Sequence, residues 1–379
     1  MPAGGRFPLW ILLAVFLVNQ MDQLKLDAQP LCRTSIPLFQ FEEKRMEHLK
    51  VSVDLGENYG DPAKFVECVQ LADKYDFEAA WFGDHLYPFL HSTNKIASPF
   101  VWSLFPIALE RTQRIKTGPD VTCPIGGRFH PFIIAQSAAT IDCIYPGRLL
   151  LAVGSGEGIN ESRFFPAGYP RWRERIERLI EAVLLMKKLW KSQDYFSFDG
   201  KYFKMKDAYL YTKPKTELPI YFSAMGTKAA SYAGAYGDNL VTQGSVEKCR
   251  EIISTFESSA LEAGKDPSKM EKMVLFDPVY GDETKGLEEL RRTGEAAYLV
   301  KGAFDEPDPR KIEQMGSRIS DDDLLRLKYF CPSPKELIEM IDRYSKVGAT
   351  HVAISTQTFP DKIRMIGEKV LPYFLSGGA

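Results

Sequence analysis

The hydrophobic positions of the chain follow two alternating patterns from Met46 onward. Short segments in which apolar residues alternate with polar ones, or run together, predict strands, and longer segments with apolar residues three or four positions apart predict helices. The predicted strands are 48–55, 78–82, 114–123, 149–153, 218–224, 239–242, 272–280 and 350–355. The first predicted helix begins at Asp61-Pro62. The other predicted helices cover 99–111, 131–144, 171–190, 227–236, 246–264, 334–348 and 361–374.

This regular alternation predicts one α/β domain over residues 46–379, a (β/α)8 TIM barrel with insertions. A doubly wound sheet is the alternative. The barrel is preferred because no G-x-G-x-x-G motif follows the first strand, and because polar residues collect at the carboxyl ends of several strands, where barrel active sites lie. Two segments depart from the pattern. About 191–212 predicts a small hairpin insertion, and 281–330 predicts a charged helical insertion that could lie over the barrel mouth.

Residues 1–45 do not continue this pattern and are left out of the predicted fold. The apolar run from Pro8 to Val18, preceded by Arg6, has the size of a signal peptide and is too short for a convincing membrane-spanning helix. No cleavage site or twin arginine is evident, and a second methionine, Met46, precedes the first predicted strand. Two interpretations stay open, a dispensable or misassigned upstream start and a short membrane-directing segment. No stable membrane span is expected.

Composition and charge narrow the class of partner. The chain has 379 residues, of which 45% are hydrophobic, and its formal net charge of -2 gives no reason to expect nucleic acid or an anionic membrane. Small molecules are therefore the expected partners. The six cysteines show no paired spacing, and neither H-E-x-x-H nor a histidine-carboxylate cluster suggests a metal. This pattern argues against a disulfide framework and favours a reducing, cytoplasmic location.

The segment Arg148 to Glu161 is where the strand pattern and the polar residues meet. Its apolar run from Leu149 to Val153 predicts a strand buried on both faces, and three glycines interleaved with Ser155 and Glu157 follow directly. Glycine lets the backbone take a positive φ and approach a ligand closely. Such a corner can hold the edge of a cofactor and direct one carboxylate towards it. The alternative is an ordinary glycine-rich turn with a solvated glutamate.

Polar side chains follow most of the predicted strands, and in a barrel these positions converge. They are Asp84, His85, Asp120, Thr122, Cys123, Ser155, Glu157, Asn160, Ser223, Thr242 and Gln243. His85 beside Asp84 is a candidate general base, and a structural hydrogen bond between them is the alternative. Glu157 is a candidate acid, because burial against a cofactor would raise its pKa and keep a proton on it. The G-S-G at Ser155 lacks the G-x-S-x-G pattern of a nucleophile elbow.

Several of these segments together resemble a known family. They are G-D-H-L-Y-P-F at 83–89, Y-P-G-R at 145–148, V-G-S-G-E-G-I-N-E at 153–161, P-I-Y-F-S-A-M-G at 219–226 and Y-A-G-A-Y-G-D at 232–238. The chain resembles, over roughly Leu49 to Phe374, the luciferase-like oxidoreductases that use the deazaflavin coenzyme F420. The similarity is greatest to the branch of F420-dependent glucose-6-phosphate dehydrogenases and secondary-alcohol dehydrogenases. The resemblance implies a barrel of the bacterial-luciferase-like type, which forms a homodimer.

The resemblance also implies a role for each matching residue. His85 would remove the hydroxyl proton as hydride leaves the carbinol carbon for C5 of the deazaflavin, Glu157 would protonate N1, and Thr242 would face the substrate. The implied cofactor contacts are Asp84, Cys123, Ser155, Gly156, Asn160, Met225, Gly226, Lys228 and Ala229. Family members also have a cis peptide bond that would fall at Asp120-Val121.

The sequence departs from the sugar-phosphate enzymes of this family at two positions. Phe89 replaces a tryptophan, and Ser245 replaces the lysine that binds the substrate phosphate, with Lys301 and Lys328 as nearby cations. A dianionic phosphate without paired cations is weakly held, so glucose 6-phosphate is disfavoured. We expect an F420-dependent dehydrogenase acting on an alcohol or sugar-type hydroxyl.

Three alternatives stay open. The first is an F420H2-dependent reductase similar to methylenetetrahydromethanopterin reductases, and the second is an FMN-dependent monooxygenase of the same fold. The third is a barrel that only binds a cofactor or partner. His85 favours the alcohol chemistry, because reduction of an iminium needs no base on a hydroxyl.

Overall fold

A computed structural model of the protein describes residues 49–56, 61–88, 97–293, 296, 299–300 and 302–375. The strands are β1 Lys50–Asp54, β2 Ala79–Phe82, β3 Lys116–Pro119, β4 Leu151–Val153, β5 Phe196–Asp199, β6 Lys204–Ala208, β7 Ile220–Ser223, β8 Asn239–Gln243, β9 Lys272–Phe276, β10 Val279–Tyr280, β11 Phe330–Cys331 and β12 His351–Ser355. The helices are α1 Pro62–Lys74, α2 Val101–Glu110, α3 Pro131–Ile144, α4 Gly158–Glu161, α5 Trp172–Lys191, α6 Thr227–Tyr236, α7 Val246–Glu262, α8 Glu283–Thr293, α9 Pro309–Gly316, α10 Asp321–Leu327, α11 Pro334–Lys346, α12 Pro360–Lys369 and α13 Leu371–Leu375.

Eight of the strands form one parallel sheet in the order β3-β2-β1-β12-β9-β8-β7-β4. The two outermost strands of this order meet through parallel bridges from Thr117 to Leu149 and from Thr122 to Val153, which close the sheet into a barrel. The predicted (β/α)8 barrel is therefore confirmed, and the doubly wound sheet is not the fold. In such a barrel the carboxyl ends of the strands, where the candidate polar residues were predicted, meet at one face.

Two hydrophobic layers hold the barrel together. The larger one lies between the strands and the surrounding helices and includes Phe65, Phe82 and Phe222, all fully buried. A smaller cluster fills the barrel interior, where Trp81 and Tyr221 pack edge to face with ring centroids 5.5 Å apart. Strands covered on both faces can carry apolar residues at successive positions, as β2 and β7 do, although β1 also buries Ser52 and Asp54.

Several helices begin where the sequence places a capping residue directly before a proline. Asp61, Asp308 and Ser333 each accept a hydrogen bond from the first turn of the helix that they precede, and proline opens that turn. Proline suits the first helical position because its missing N–H would have no partner inside the helix. These caps explain why the predicted helix starts at 61–62 and 334 agree with the structure.

The two irregular segments contain secondary structure of their own. β5 and β6 pair as an antiparallel hairpin.

The predicted strand 272–280 was too long: β9 ends at Phe276, and β10 pairs instead with the short β11, outside the barrel. The predicted strand 114–123 likewise ends early, at Pro119, and the expected cis peptide bond follows it at Asp120-Val121.

In the part of the chain that the structure describes, none of the helices combines the length and the apolar character that a membrane crossing requires. The expectations for residues 1–45 concern a segment outside the described residues.

Candidate active site

A cavity of about 340 Å³ opens at the carboxyl ends of the barrel strands. Most of the residues singled out from the sequence line it, namely Asp84, His85, Cys123, Ser155, Gly156, Glu157, Asn160, Met225 and Ala229. A cavity of this size, with a few polar groups converging on it, is typical of a small-molecule site. The barrel thus brings residues far apart in sequence into one wall.

The glycine-rich turn after β4 packs tightly against the loop after β3. A Cβ on Gly154 would lie 2.4 Å from Cγ2 of Val121, and one on Gly156 would lie 2.6 Å from Sγ of Cys123. Gly156 also has a φ of 82°, which glycine adopts without strain. The glycines therefore let two segments of the protein approach each other, and they fix the position of Glu157, the residue that immediately precedes α4.

The Glu157 carboxyl is half-buried in the cavity wall, and it is not the solvated side chain of an ordinary turn. Its side chain is 26% exposed, and its Oε2 lies 3.4 Å from Nε2 of His85. Burial, together with the negative charges of Glu161 and Asp120, raises the pKa of Glu157 to about 7. Near neutral pH this carboxyl therefore retains a proton for part of the time.

The His85 ring is held in a neutral form with one nitrogen directed at Glu157. Its Nδ1 lies 3.3 Å from the carbonyl oxygen of Tyr87, and because a carbonyl only accepts, Nδ1 carries the proton. The lone pair of a neutral ring is then on Nε2. Burial lowers the pKa of His85 to about 4, the hydrogen bond to Tyr87 opposes this, and the charge of Arg128 adds to it. His85 is thus available as a base over the whole neutral range.

Asp84, the neighbour of His85, is engaged in a separate network. Its carboxylate accepts a 2.6 Å hydrogen bond from Oγ1 of Thr122 and forms an ion pair of 2.9 Å with Nη1 of Arg128. Burial raises the pKa of Asp84, and the charge of Arg128 opposes the rise. The carboxylate that lies beside the histidine ring is therefore that of Glu157, on the strand-four turn.

Arg128, which no sequence pattern singles out, joins the loop that carries His85 to the helix that follows Glu157. Its Nη1 donates to the backbone carbonyl of Asp84 at 3.1 Å, and its backbone N–H donates to Oε2 of Glu161 at 3.0 Å. A Cβ on the preceding Gly127 would lie 2.7 Å from the same Glu161 oxygen, so only glycine permits this approach. No pattern in the sequence indicates this role, since the loop after β3 carries neither a strand nor a helix period.

Asn160 connects the same two segments from the other side. Its Oδ1 accepts from the backbone N–H of Leu86 at 2.8 Å, and its Nδ2 donates to Oε2 of Glu157 at 3.3 Å. Asn160 therefore fixes both the loop that carries His85 and the carboxyl that faces it.

Three aspartates from other strand ends complete the polar wall. They are Asp54 at the end of β1, Asp120 directly after β3 and Asp277 directly after β9. Burial raises the pKa of Asp54 to about 8, helped by the charges of Asp120 and Asp277, and burial raises the pKa of Asp120 to about 7. Asp54 and Asp277 are not among the candidates from the sequence, because they lie inside the predicted strands 48–55 and 272–280 and no histidine or glycine motif adjoins them.

The remaining predicted contacts lie at the edge of the cavity or outside it. Gly226 precedes α6, whose first turn has no side-chain cap, and a Cβ there would meet nothing within 4 Å. The Lys228 ammonium lies 5.1 Å from the ring centre of Trp172, a cavity residue. Thr242 is fully buried and donates to the carbonyl of Ala224 at 2.7 Å, whereas its neighbour Gln243 lines the cavity. The substrate role of Thr242 stays a prediction.

The positions that were compared with phosphate-binding residues have other partners. Ser245 caps α7 by accepting from the Lys248 N–H at 3.2 Å, and the Lys328 ammonium forms an ion pair with Asp277. Phe89 and Lys301 lie outside the described residues.

Comparison with known proteins agrees with this geometry. An F420-dependent glucose-6-phosphate dehydrogenase from Mycolicibacterium smegmatis is 30% identical over 81% of this chain and 92% of its own length. An F420-dependent hydroxymycolic acid dehydrogenase from Mycobacterium tuberculosis is 34% identical over 66% of this chain and 67% of its own. The structure of an F420-dependent secondary alcohol dehydrogenase in complex with an F420-acetone adduct superposes with a TM-score of 0.79 at 33% identity, covering 86% of this chain and 99% of that one. The profile of the luciferase-like monooxygenase family matches residues 46–351, and the chain therefore belongs to that family.

Proposed function

We propose that the protein is a coenzyme F420-dependent oxidoreductase that transfers a hydride between the carbinol carbon of an alcohol or sugar and C5 of the deazaflavin. The observation that carries the proposal is the pair formed by His85 Nε2 and Glu157 Oε2, 3.4 Å apart in the cavity wall. The pKa of His85 is about 4 and that of Glu157 is about 7, which reverses the ordinary order of the two groups. Between these values a neutral histidine and a protonated glutamate coexist. Relatives named as F420-dependent dehydrogenases support the same cofactor and reaction class.

The residues present fit the cofactor at both of its ends. The wall formed by Cys123, Ser155 and Gly156 offers a polar edge to a planar ring system. Beyond it, the uncapped first turn of α6 leaves backbone N–H groups directed outward at Gly226, where there is open space. A helix N-terminus of this kind favours an anionic group such as the phosphate of the cofactor tail, and Lys228 adds a positive charge in the same turn.

The bound cofactor would supply the hydride acceptor, and the side chains would move the protons. His85 accepts the hydroxyl proton on Nε2, and its hydrogen bond to the Tyr87 carbonyl keeps the ring in the required tautomer. Glu157 holds a proton on its carboxyl, and this proton can pass to a group that gains negative charge. Asn160 and Arg128 keep the two segments in register.

A cofactor titration tests the proposal directly. Oxidised F420 and, separately, FMN are added to the full chain, and binding is followed by fluorescence. Tight binding of F420 with weak binding of FMN is the expected result. Tight binding of FMN alone would overturn the cofactor assignment and leave His85 without the proposed role.

Two further features remain proposals. A homodimer is proposed on the resemblance to the F420-dependent enzymes, and a cytoplasmic location is proposed on the cysteine pattern, in which Cys68, Cys123, Cys143, Cys249 and Cys331 are free thiols. Light scattering coupled to gel filtration measures the first, and fractionation of the source cells measures the second.

A further inference from the structure

One aromatic side chain stands in the cavity without a protein partner that covers it fully. Phe304 lines the cavity and is 44% exposed; Met225, at 47%, is the other large apolar side chain in the described wall that is exposed to this extent. Exposed apolar area inside a concave site is where an apolar ligand gains free energy on binding, roughly 25 cal/mol per Å² removed from water. Phe304 is therefore a candidate contact for a bound molecule.

The turn that carries Phe304 is fixed on both sides of the ring. Ala303 is fully buried in a cluster with Ile159 and Ile312, and Tyr87 packs against the same cluster. Asp305 forms an ion pair of 2.9 Å with Nη2 of Arg175. This turn thus rests on Ile159, two residues after Glu157, and on Tyr87, two residues after His85.

A backbone contact confirms how closely the turn is seated. A Cβ on Gly158 would lie 2.4 Å from the carbonyl oxygen of Asp305, so the first residue of α4 must be glycine for the turn to occupy this position. The ring of Phe304 is therefore held at a defined place in the wall that also contains His85 and Glu157.

The described part of the wall offers an anionic substrate no uncommitted cation. Of the described residues that line the cavity, Arg175 is the one arginine or lysine, and its Nη2 is paired with Asp305. The wall also contains the carboxyl groups of Asp54, Asp120 and Asp277. Among the described residues of the wall a phosphate would meet no uncommitted cation, whereas an alcohol could donate to or accept from these carboxyl groups.

We propose that the substrate is an uncharged alcohol with an apolar group beside the carbinol carbon, and that Phe304 is the residue that selects it. The proposal rests on the proposed F420-dependent alcohol chemistry and specifies its substrate class. Phe304 contributes an apolar contact, and a described wall without an uncommitted cation disfavours phosphorylated sugars.

Binding of tertiary alcohols tests this inference without turnover, because a tertiary carbinol carbon has no hydride to lose. The dissociation constants of tert-butanol and of dimethylbutylcarbinol are measured by calorimetry on the full chain loaded with F420. We expect the butyl compound to bind more tightly by about tenfold or more. Phe304→Ala should remove most of this preference, and Phe304→Leu should retain it.

The control is Phe164→Ala, which removes a phenyl group of similar exposure, 42%, that does not line the cavity. It should leave both dissociation constants unchanged. Equal binding of the two alcohols by the wild type, an unchanged preference in Phe304→Ala, or tighter binding of glucose 6-phosphate would overturn the inference.

The F420 dissociation constant of Phe304→Ala shows whether the Phe304 ring contacts the cofactor or the substrate. If Phe304→Ala weakens F420 as much as it weakens the butyl alcohol, the ring covers the cofactor and the specificity role is wrong. If the binding preferences hold but methylbutylcarbinol, the matching secondary alcohol, never reduces bound F420, the proposed function fails while the assignment of Phe304 stands.

Discussion

His85 and Glu157 derive their opposite properties from one cavity wall. Burial disfavours the charged form of either group, so it lowers the pKa of the histidine and raises that of the glutamate. The same environment thus produces a base and an acid 3.4 Å apart. Neither needs a metal or a neighbouring charge of the opposite sign to reach the required protonation state.

Replacement of His85 tests the base. His85→Ala should lower kcat for alcohol oxidation by about 10²- to 10⁴-fold, because the hydroxyl proton then lacks an acceptor, with little change in the F420 dissociation constant. Steady-state kinetics and a fluorescence titration measure the two quantities. His130→Asn is a suitable control, because asparagine can retain the cap that His130 provides to α3. Wild-type turnover in His85→Ala would eliminate the histidine as the base.

The pH profile tests the acid. In the proposed mechanism alcohol oxidation needs neutral His85, which is present above about pH 4, and protonated Glu157, which is present below about pH 7. The rate of F420 reduction should therefore be level between these values and fall as the pH rises past about 7. Glu157→Gln should lower the rate and abolish the alkaline decrease, as measured by stopped-flow absorbance. An unchanged alkaline decrease in this variant would assign it to another group.

The turn after β4 and the loop after β3 act as one unit, which makes their glycines sensitive. Gly156→Ala combines a φ of 82° with a Cβ 2.6 Å from Cys123 Sγ, so it should lower stability and weaken F420 binding. Gly168→Ala is the matched control, because its φ is 103° and nothing lies within 4 Å of the added Cβ. We expect a cost of about 1 kcal/mol for the control and a larger one for Gly156→Ala, measured by urea unfolding. Equal costs would show that the contact with Cys123 is easily relieved.

Sequence reasoning succeeded where chemistry is local and failed where it depends on tertiary contacts. The barrel and the position of His85 and Glu157 at its mouth could be predicted because strand ends are recognisable and converge in this fold, and the roles of the two residues stay predictions. The role of Arg128 could not, since its contacts with Asp84 and Glu161 depend on how the loop after β3 crosses the barrel mouth. The length of β9 was overestimated because β10 continues the apolar pattern while pairing outside the barrel.

The opposite end of the barrel carries a charged network that is separate from the cavity. Glu271 accepts from Lys50 Nζ at 2.5 Å and from the Tyr221 hydroxyl at 2.7 Å, and lies 3.5 Å from Nδ1 of the fully buried His351. Although burial alone would raise it, these partners hold the pKa of Glu271 well below its ordinary value of 4.5. A carboxyl with a depressed pKa contributes stability above its unfolded pKa and loses it as the pH falls.

Glu271→Gln should therefore destabilise the protein at pH 7 by about 1 to 3 kcal/mol while leaving alcohol oxidation intact. The difference in stability from the wild type should shrink as the pH falls below 4.5, the ordinary value for glutamate. Thermal unfolding followed by circular dichroism at several pH values measures both effects. A constant difference across pH would mean that the lost contribution does not come from the ionised carboxyl.

Hydride transfer from an alcohol to F420 is the central claim, and one measurement tests it most directly. The full chain is mixed with oxidised F420 and a secondary alcohol that carries deuterium or hydrogen on the carbinol carbon, and the absorbance of the oxidised deazaflavin is followed. The account predicts that the absorbance decreases, and that deuterium slows the decrease when hydride transfer limits the rate. Tight F420 binding without any absorbance change, across alcohols of different size, would contradict it.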